Sequence, residues 1–271
     1  KRAILTQVGP SITPQEVQAE FNRIQAGREI RRTIERISRA GSEVTYRSAD
    51  VRDSDAVRAT LAPLVEQYGP VTGLVHGAGV LADRNIEDKS DDDFARVYGT
   101  KVGGLRSVLK AIGESPLKAM VLFSSSTARF GRRGQVDYAA ANEVLNKSAQ
   151  AEAARRKGCR VVSINWGPWD GGMVTPGLKT MFSAEGIEVI GMRSGAAYLL
   201  DELAVSDGPA EVLILGSGSR IPEVGFVAVS TGNGAHPFAN GDATSKNGAP
   251  SPASGVGAGE NGAHPGVNGD L

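Results

Sequence analysis

The chain has 271 residues, 40% of them apolar and 5% aromatic, with 30 basic residues against 30 acidic ones. A formal net charge of zero lacks the basic face that a nucleic-acid binder needs, and no apolar run approaches the ~20 residues of a membrane-spanning helix. One cysteine, Cys159, excludes an internal disulfide and gives no sign of an oxidising compartment, so a cytoplasmic location is expected. Of the histidines His76, His236 and His264, two fall in a compositionally simple C-terminal stretch, which leaves little for a zinc site or a histidine-based triad. The opening Lys1-Arg2-Ala3-Ile4-Leu5 reads as the middle of something longer, and a fragment is expected.

In chain order, Thr13-Pro14-Gln15-Glu16 is an N-cap, a proline at the first helical position and a capping-box glutamate. The helix it opens carries Phe21, Ile24, Ile30, Ile34 and Ile37 and ends at Gly41, with Ala26-Gly27 as a candidate break. Val44–Ser48 is strand-like. A helix from Ser54 to about Gln67 presents Val57, Leu61 and Leu64. Val71–His76 reads as a short buried strand, and a helix from about Asp91 to Ile112 follows, with Phe94, Val97, Val102, Leu105 and Leu109 inward. Met120–Phe123 is a strand, about Tyr138–Arg156 a helix, Val161–Asn165 a strand, Ser194–Leu203 a helix and Glu211–Leu215 a strand. Short β-branched runs between amphipathic helices predict an α/β fold, a doubly wound parallel sheet covered on both faces. From Ser230 onward the composition turns to Gly, Ala, Asn, Pro and Ser, with NGAHP at 233–237 and again at 261–265. So little apolar bulk cannot offset the entropy of ordering, and residues 230–271 are expected to be a disordered linker after a domain at 1–229.

Doubly wound sheets bind ligands at the carboxyl ends of their strands. Each exit here is small or polar: Asp50-Val51, then His76-Gly77-Ala78-Gly79, then Ser124-Ser125-Ser126-Thr127, then Trp166-Gly167-Pro168-Trp169 leading to Met173 and Val174. Glycine lets a ligand approach the backbone, and Asp or Ser offers hydrogen bonds. Several such exits on one sheet edge point to an extended ligand such as a dinucleotide. Tyr138 opens a helix with Asn142 one turn further on, and Lys101 lies mid-helix. A Tyr beside a Lys suits proton donation, because an ammonium stabilises a phenolate whose pKa starts near ~10. Taken singly, Lys101 is also compatible with a solvated helix residue, Tyr138 with a half-buried one and Ser125 with a cap.

Leu122-Phe123-Ser124-Ser125 through Gly131, then Gly134-Gln135-Val136-Asp137-Tyr138-Ala139-Ala140-Ala141-Asn142, resembles the ketoreductase domain of modular polyketide and fatty-acid synthases. These are short-chain dehydrogenase/reductases with a Rossmann-like fold. In the wider superfamily the lysine lies four residues after the tyrosine; in synthase ketoreductases that place is Asn and the lysine comes from an earlier Thr-Lys-Val-x-Gly. Asn142 and Lys101 match the synthase arrangement. The resemblance runs from about Arg28 to Gly216. Trp166–Pro176 and Pro14–Thr33 look most like the ketoreductases of polyunsaturated fatty-acid synthases and related iterative synthases.

The resemblance implies NADPH-dependent reduction of a β-ketoacyl thioester carried on the phosphopantetheine arm of an acyl carrier protein, with other synthase domains in cis. It implies Tyr138 as general acid and Ser125 as the group orienting the keto oxygen. Lys101 would hold the nicotinamide ribose and depress the Tyr138 pKa, and Asn142 would support the proton relay. Asp50 and Val51 would flank the adenine, Gly77-Ala78-Gly79 would pass under its ribose with His76 also on the cofactor, and Gly167, Pro168, Met173 and Val174 would line the nicotinamide. Leu81-Ala82-Asp83 stands where family members giving a 3R hydroxyl carry Leu-x-Asp, and Phe130 stands where those of opposite hand carry Trp; with Trp169 these residues are expected to guide the substrate in. The family's first strand, its phosphate-cradling glycine loop and the arginine selecting NADPH are missing from the chain and expected upstream of position 1. Gly216-Ser217-Gly218 opens no helix and is no substitute. On that ground the isolated fragment is expected to be inactive. Two other readings stand beside this one, a degenerate ketoreductase-like scaffold and a free-standing alcohol dehydrogenase.

Overall fold

The structure, a computed structural model, describes residues 13–172 and 174–220. The expected boundary near residue 230, the C-terminal linker and Met173 lie outside the described residues. Four parallel strands form one sheet in the order β1 (Gly73–His76), β2 (Ala119–Ser125), β3 (Arg160–Trp166) and β4 (Glu211–Ile214). The register sets Val75 beside Val121, Ser125 beside Trp166 and Asn165 beside Leu213.

Alternation along β2 divides the core. Met120 and Leu122 pack on one face with Leu105 of α4 (Gly104–Ile112) and Leu145 and Ala149 of α6 (Val136–Arg155). Val121 packs on the other with Val162, Ile164, Ile190 and Ile214, joined by Leu199 and Leu203 of α8 (Met192–Ala204). A parallel sheet apolar on both faces needs cover on both, and these helices supply it. The expected Rossmann-like α/β arrangement is the one found.

The departures have physical causes. The first helix, α1 (Pro14–Arg39), runs unbroken through Ala26-Gly27, because one glycine costs a helix only about 1 kcal/mol. Its capping box forms as expected, Thr13 Oγ1 accepting from the Glu16 N–H and Glu16 Oε2 from the Thr13 N–H. Val44–Ser48 is not a strand. A strand requires a neighbour for its ladder, and none among the described residues lies beside it. For the same reason β1 is an edge strand among the described residues rather than a buried one, with Val75 57% exposed. After α2 (Ser54–Tyr68), the helix expected over 91–112 is three pieces: α3 (Asp91–Tyr98), a π-turn at Gly99–Gly103, and α4. The turn shifts the helical phase, and Phe94 of α3 is left at the surface, stacked on Tyr98 at 5.7 Å. Two short helices unexpected from the sequence, α5 (Thr127–Phe130) and α7 (Pro176–Ala184), follow β2 and β3.

Candidate active site

The π-turn delivers Lys101. π-turns are rare in helices and favour functional sites; this one turns both Lys101 and Val102 inward, 3% and 2% exposed. Close packing around it depends on glycine: a Cβ at Gly104 would stand 2.8 Å from Val51 Cγ2, and one at Gly79 would stand 3.1 Å from Lys101 Cε. Lys101 Nζ donates to the Phe123 carbonyl at 2.9 Å and lies 5.2 Å from the centroid of the Tyr138 ring. Burial pulls the Lys101 ammonium down to a pKa of about 8.

Tyr138 enters from the first turn of α6 and is buried. Asn142 Nδ2 donates to the Tyr138 carbonyl at 2.7 Å, and Ser124 Oγ donates to the Asn142 carbonyl at 3.1 Å. Asn165 Oδ1, 2.9 Å from Ser124 Oγ, competes with the Asn142 carbonyl for that hydroxyl's single hydrogen and accepts from Asn146 Nδ2 at 3.0 Å, tying β2, α6 and β3 together. The lowered Tyr138 pKa implied by the resemblance is not found. Burial pushes this phenol up, and the nearby Asn142 and Ser125 side chains pull the other way. The ammonium faces the ring, and its hydrogen bond goes to Phe123.

A cavity of about 1330 Å³ opens at the strand exits. Lys101, Ser125 and Tyr138 line it, as do Gly77, Gly79, Leu81, Asp83, Phe130, Gly167, Pro168, Trp169 and Val174. Asn142 does not line it and meets the site through its bond to the Tyr138 carbonyl. Ala78, His76, Asp50 and Val51 are not part of its lining. His76 Nε2 instead meets the Lys101 carbonyl at 2.9 Å, and burial lowers its pKa. Asp50 is gripped by Arg52 and held well down, at about 2. Trp169 sits edge-on to Trp166 at 4.8 Å and stacks with Phe123 at 6.5 Å.

Asp83 is connected to Ser125 through two residues for which the sequence suggested no role. Gln135 Nε2 donates to Asp83 Oδ2 at 2.9 Å, Thr127 Oγ1 makes a longer contact of 3.5 Å to Gln135 Oε1, and Ser125 Oγ donates to Thr127 Oγ1 at 3.0 Å. Gln135 lies inside the motif around Tyr138 and Thr127 at the polar exit of β2, so both were marked in the sequence, though not as a connection to Asp83.

The residues present suit one end of a nicotinamide dinucleotide. Glycine at 79 lets the chain pass alongside Lys101, and Gly167 continues the open wall. Two buried polar atoms have no partner among the described residues, Asn142 Oδ1 and Trp166 Nε1; one belongs to this site and the other to a residue lining the cavity. No glycine loop opening a helix beneath the sheet edge is found among the described residues, so the fit covers the nicotinamide end and not the pyrophosphate.

A parallel α/β sheet with Ser, Tyr, Lys and Asn converging at its carboxyl edge defines an oxidoreductase of the short-chain dehydrogenase/reductase type. The sequence profile of the KR domain matches residues 18–171, more than half of the chain, and the chain belongs to that family of ketoreductase domains. It is 41% identical over 215 residues to one of the polyunsaturated fatty acid synthase subunits of Thraustochytrium sp., covering 79% of this chain and 8% of that protein. It is 31% identical over 196 residues to polyketide synthase PksL of Bacillus subtilis, covering 65% of this chain and 4% of that protein. It thus spans a small part of each relative's length. Among solved structures, a ketoreductase domain from the bacillaene assembly line superposes with a TM-score of 0.58 at 31% identity, covering 76% of this chain and 48% of that one. An N-terminal ketoreductase from the macrolactin assembly line gives 0.62 at 27% identity, covering 69% and 37%.

Proposed function

We propose that the chain is the catalytic part of a β-ketoacyl reductase that uses NADPH and acts on a substrate presented by an acyl carrier protein, with other synthase domains in cis. The observation that carries this reading is the placement of Lys101, Ser125 and Tyr138 on the wall of one cavity, with Asn142 anchoring the tyrosine's helix turn. The ketone oxygen is held between the hydroxyls of Ser125 and Tyr138. Ser125 reaches it by redirecting the hydrogen now given to Thr127. A nicotinamide cofactor, when bound, would supply the hydride that the carbonyl carbon accepts. As the C=O π bond opens, the developing alkoxide takes the Tyr138 proton, and the Lys101 ammonium over the ring opposes the negative charge left on the phenolate. Asn142, whose buried Oδ1 has no partner among the described residues, can accept a hydrogen bond from a relay water that returns the proton to Tyr138.

In this reading Lys101 holds the nicotinamide ribose, Gly167, Pro168, Val174 and Met173 line the ring, and Gly77 and Gly79 pass beneath the adenine ribose, with Asp50 and Val51 toward the adenine. Asp83, held by Gln135, and Phe130 in place of Trp favour a 3R hydroxyl. Residues 1–229 constitute the reductase part and residues 230–271 a linker. The test is NADPH oxidation by the chain in its native sequence context with a short β-ketoacyl thioester. Stoichiometric β-hydroxyacyl thioester is expected, and none at all, with nucleotide bound, would leave a non-catalytic scaffold.

A further inference from the structure

The most deeply buried ion pair among the described residues joins two side chains that the mechanism above does not use. Lys89 Nζ donates to Asp137 Oδ2 at 2.8 Å, and their side chains are 4% and 1% exposed. The lysine also donates to the Ala82 carbonyl at 2.7 Å, within the Leu81-Ala82-Asp83 segment. The carboxylate's second oxygen accepts the backbone N–H of Tyr138 at 2.9 Å. One carboxylate thus holds the access loop with one oxygen and the proton donor's backbone with the other.

Burying two charges is expensive, and a buried pair often adds little to stability over a well-packed neutral replacement. A better account of such a pair is registration of two segments. The neighbouring contacts have the same sense. The Arg84 N–H donates to the Gly134 carbonyl at 3.0 Å and Gln135 holds Asp83, so the loop is fastened to the residues leading into α6. Gly134 turns there with φ +81°, a left-handed conformation that glycine adopts without steric cost.

We propose that Lys89 and Asp137 are a positioning pair for ketone reduction: their contact fixes the loop bearing Asp83 against the first turn of α6, and so sets where Tyr138 meets the ketone and which face the ketone presents. The proposal rests on the reductase reading above. Neither residue touches the reacting atoms.

The experiment uses the chain in its native sequence context, NADPH and a short β-ketoacyl thioester. Lys89→Met and Asp137→Asn are expected to lower kcat, by up to the ~10²-fold that small misplacements cost, with KM and nucleotide affinity nearly unchanged and the minor hydroxyl enantiomer enriched. The double variant Lys89→Met/Asp137→Asn removes both charges. It is expected to regain thermal stability while kcat and stereochemical purity stay low. A folded double variant with wild-type kcat and product configuration overturns the proposal, because the pair would then be structural only. If the double variant does not fold, Asp137→Glu decides. It keeps the charge but moves the acceptor from the Tyr138 N–H, and wild-type kcat in it overturns the proposal too. Wild-type protein that reduces no ketone would instead defeat the underlying reductase reading.

Discussion

The Lys101 ammonium lies over the face of the Tyr138 ring, 5.2 Å from its centroid, while its hydrogen bond goes to the Phe123 carbonyl. A charge so placed favours electron density on the ring without contacting the oxygen that carries the proton. In the proposed mechanism Tyr138 stays protonated until it donates, since burial raises its pKa, and the lysine would act only as charge develops. Replacing Tyr138 by Phe removes the proton and keeps the ring. Ketone reduction should fall by the ~10²–10⁴-fold typical of a lost general acid, with NADPH affinity, read by fluorescence titration, nearly unchanged. Substantial residual turnover would remove Tyr138 from its role.

Lys101 also makes stability depend on pH. Its folded pKa of about 8 lies below the ordinary 10.5, so between those values the unfolded chain binds more protons and stability rises with pH. The cost of burying the ammonium is fully present below pH 8 and is relieved toward pH 10.5, a difference of order 3 kcal/mol. Denaturant unfolding without added nucleotide should therefore show Lys101→Met gaining most over wild type near pH 7, with the gap narrowing by pH 10.5. A gap independent of pH contradicts the assigned burial cost.

On the proposed reading, the product's configuration should follow from Asp83 and Phe130. Asp83 is fixed by Gln135 at 2.9 Å, and Phe130 lines the cavity where a Trp is absent. Chiral chromatography of the alcohol from a short β-ketoacyl thioester should give predominantly the 3R hydroxyl; a 3S product refutes the assignment.

Trp169 owes its position to a glycine on α8. A Cβ at Gly195 would lie 2.3 Å from Trp169 Cη2 and 2.6 Å from Cζ3. An indole wedged between Trp166 and α8 has little room to yield, so Gly195→Ala should cost about 1–3 kcal/mol. It should also shift tryptophan emission by moving the ring at the cavity wall. Unchanged emission and melting temperature would show that the contact is not tight.

Local signals in the sequence were reliable where the cause was local. Thr13, Pro14 and Glu16 specify a capping box by themselves, and the box forms. The alternating strands and helices predicted the parallel sheet because each run needs apolar cover on both faces. Val44–Ser48 failed as a strand because strand character requires a partner that the segment does not contain. The family resemblance named Tyr138 and Lys101, but the glycines at 99, 103 and 104 mark an irregularity without specifying a π-turn, and a regular helical phase misplaced Phe94. Lys89 and Asp137 were hardest to see, being 48 positions apart. Lys89 stands in the run Asp88-Lys89-Ser90-Asp91-Asp92-Asp93, which reads as an ordinary solvated face.

The π-turn makes chain length itself a constrained variable here. An α-helix advances about 100° per residue, and the widened turn at Gly99–Gly103 inserts an offset between α3 and α4. Val97, facing the interior before the turn, and Leu105, facing it after, keep their places only because that offset is present. Removing one residue from 99–103 would let the segment relax to regular helix with Val97 and Leu105 seven positions apart and about 20° off a common face, so the flanks would keep their packing while the turn that brings Lys101 inward would be lost. The same deletion made at 113–116, between α4 and β2, shortens a connection that no helical phase crosses. Evolutionary drift in the length of this region should therefore accumulate beyond Ile112, and loss of a residue between Tyr98 and Leu105 should be purged for the placement of Lys101 rather than for the packing of the flanks.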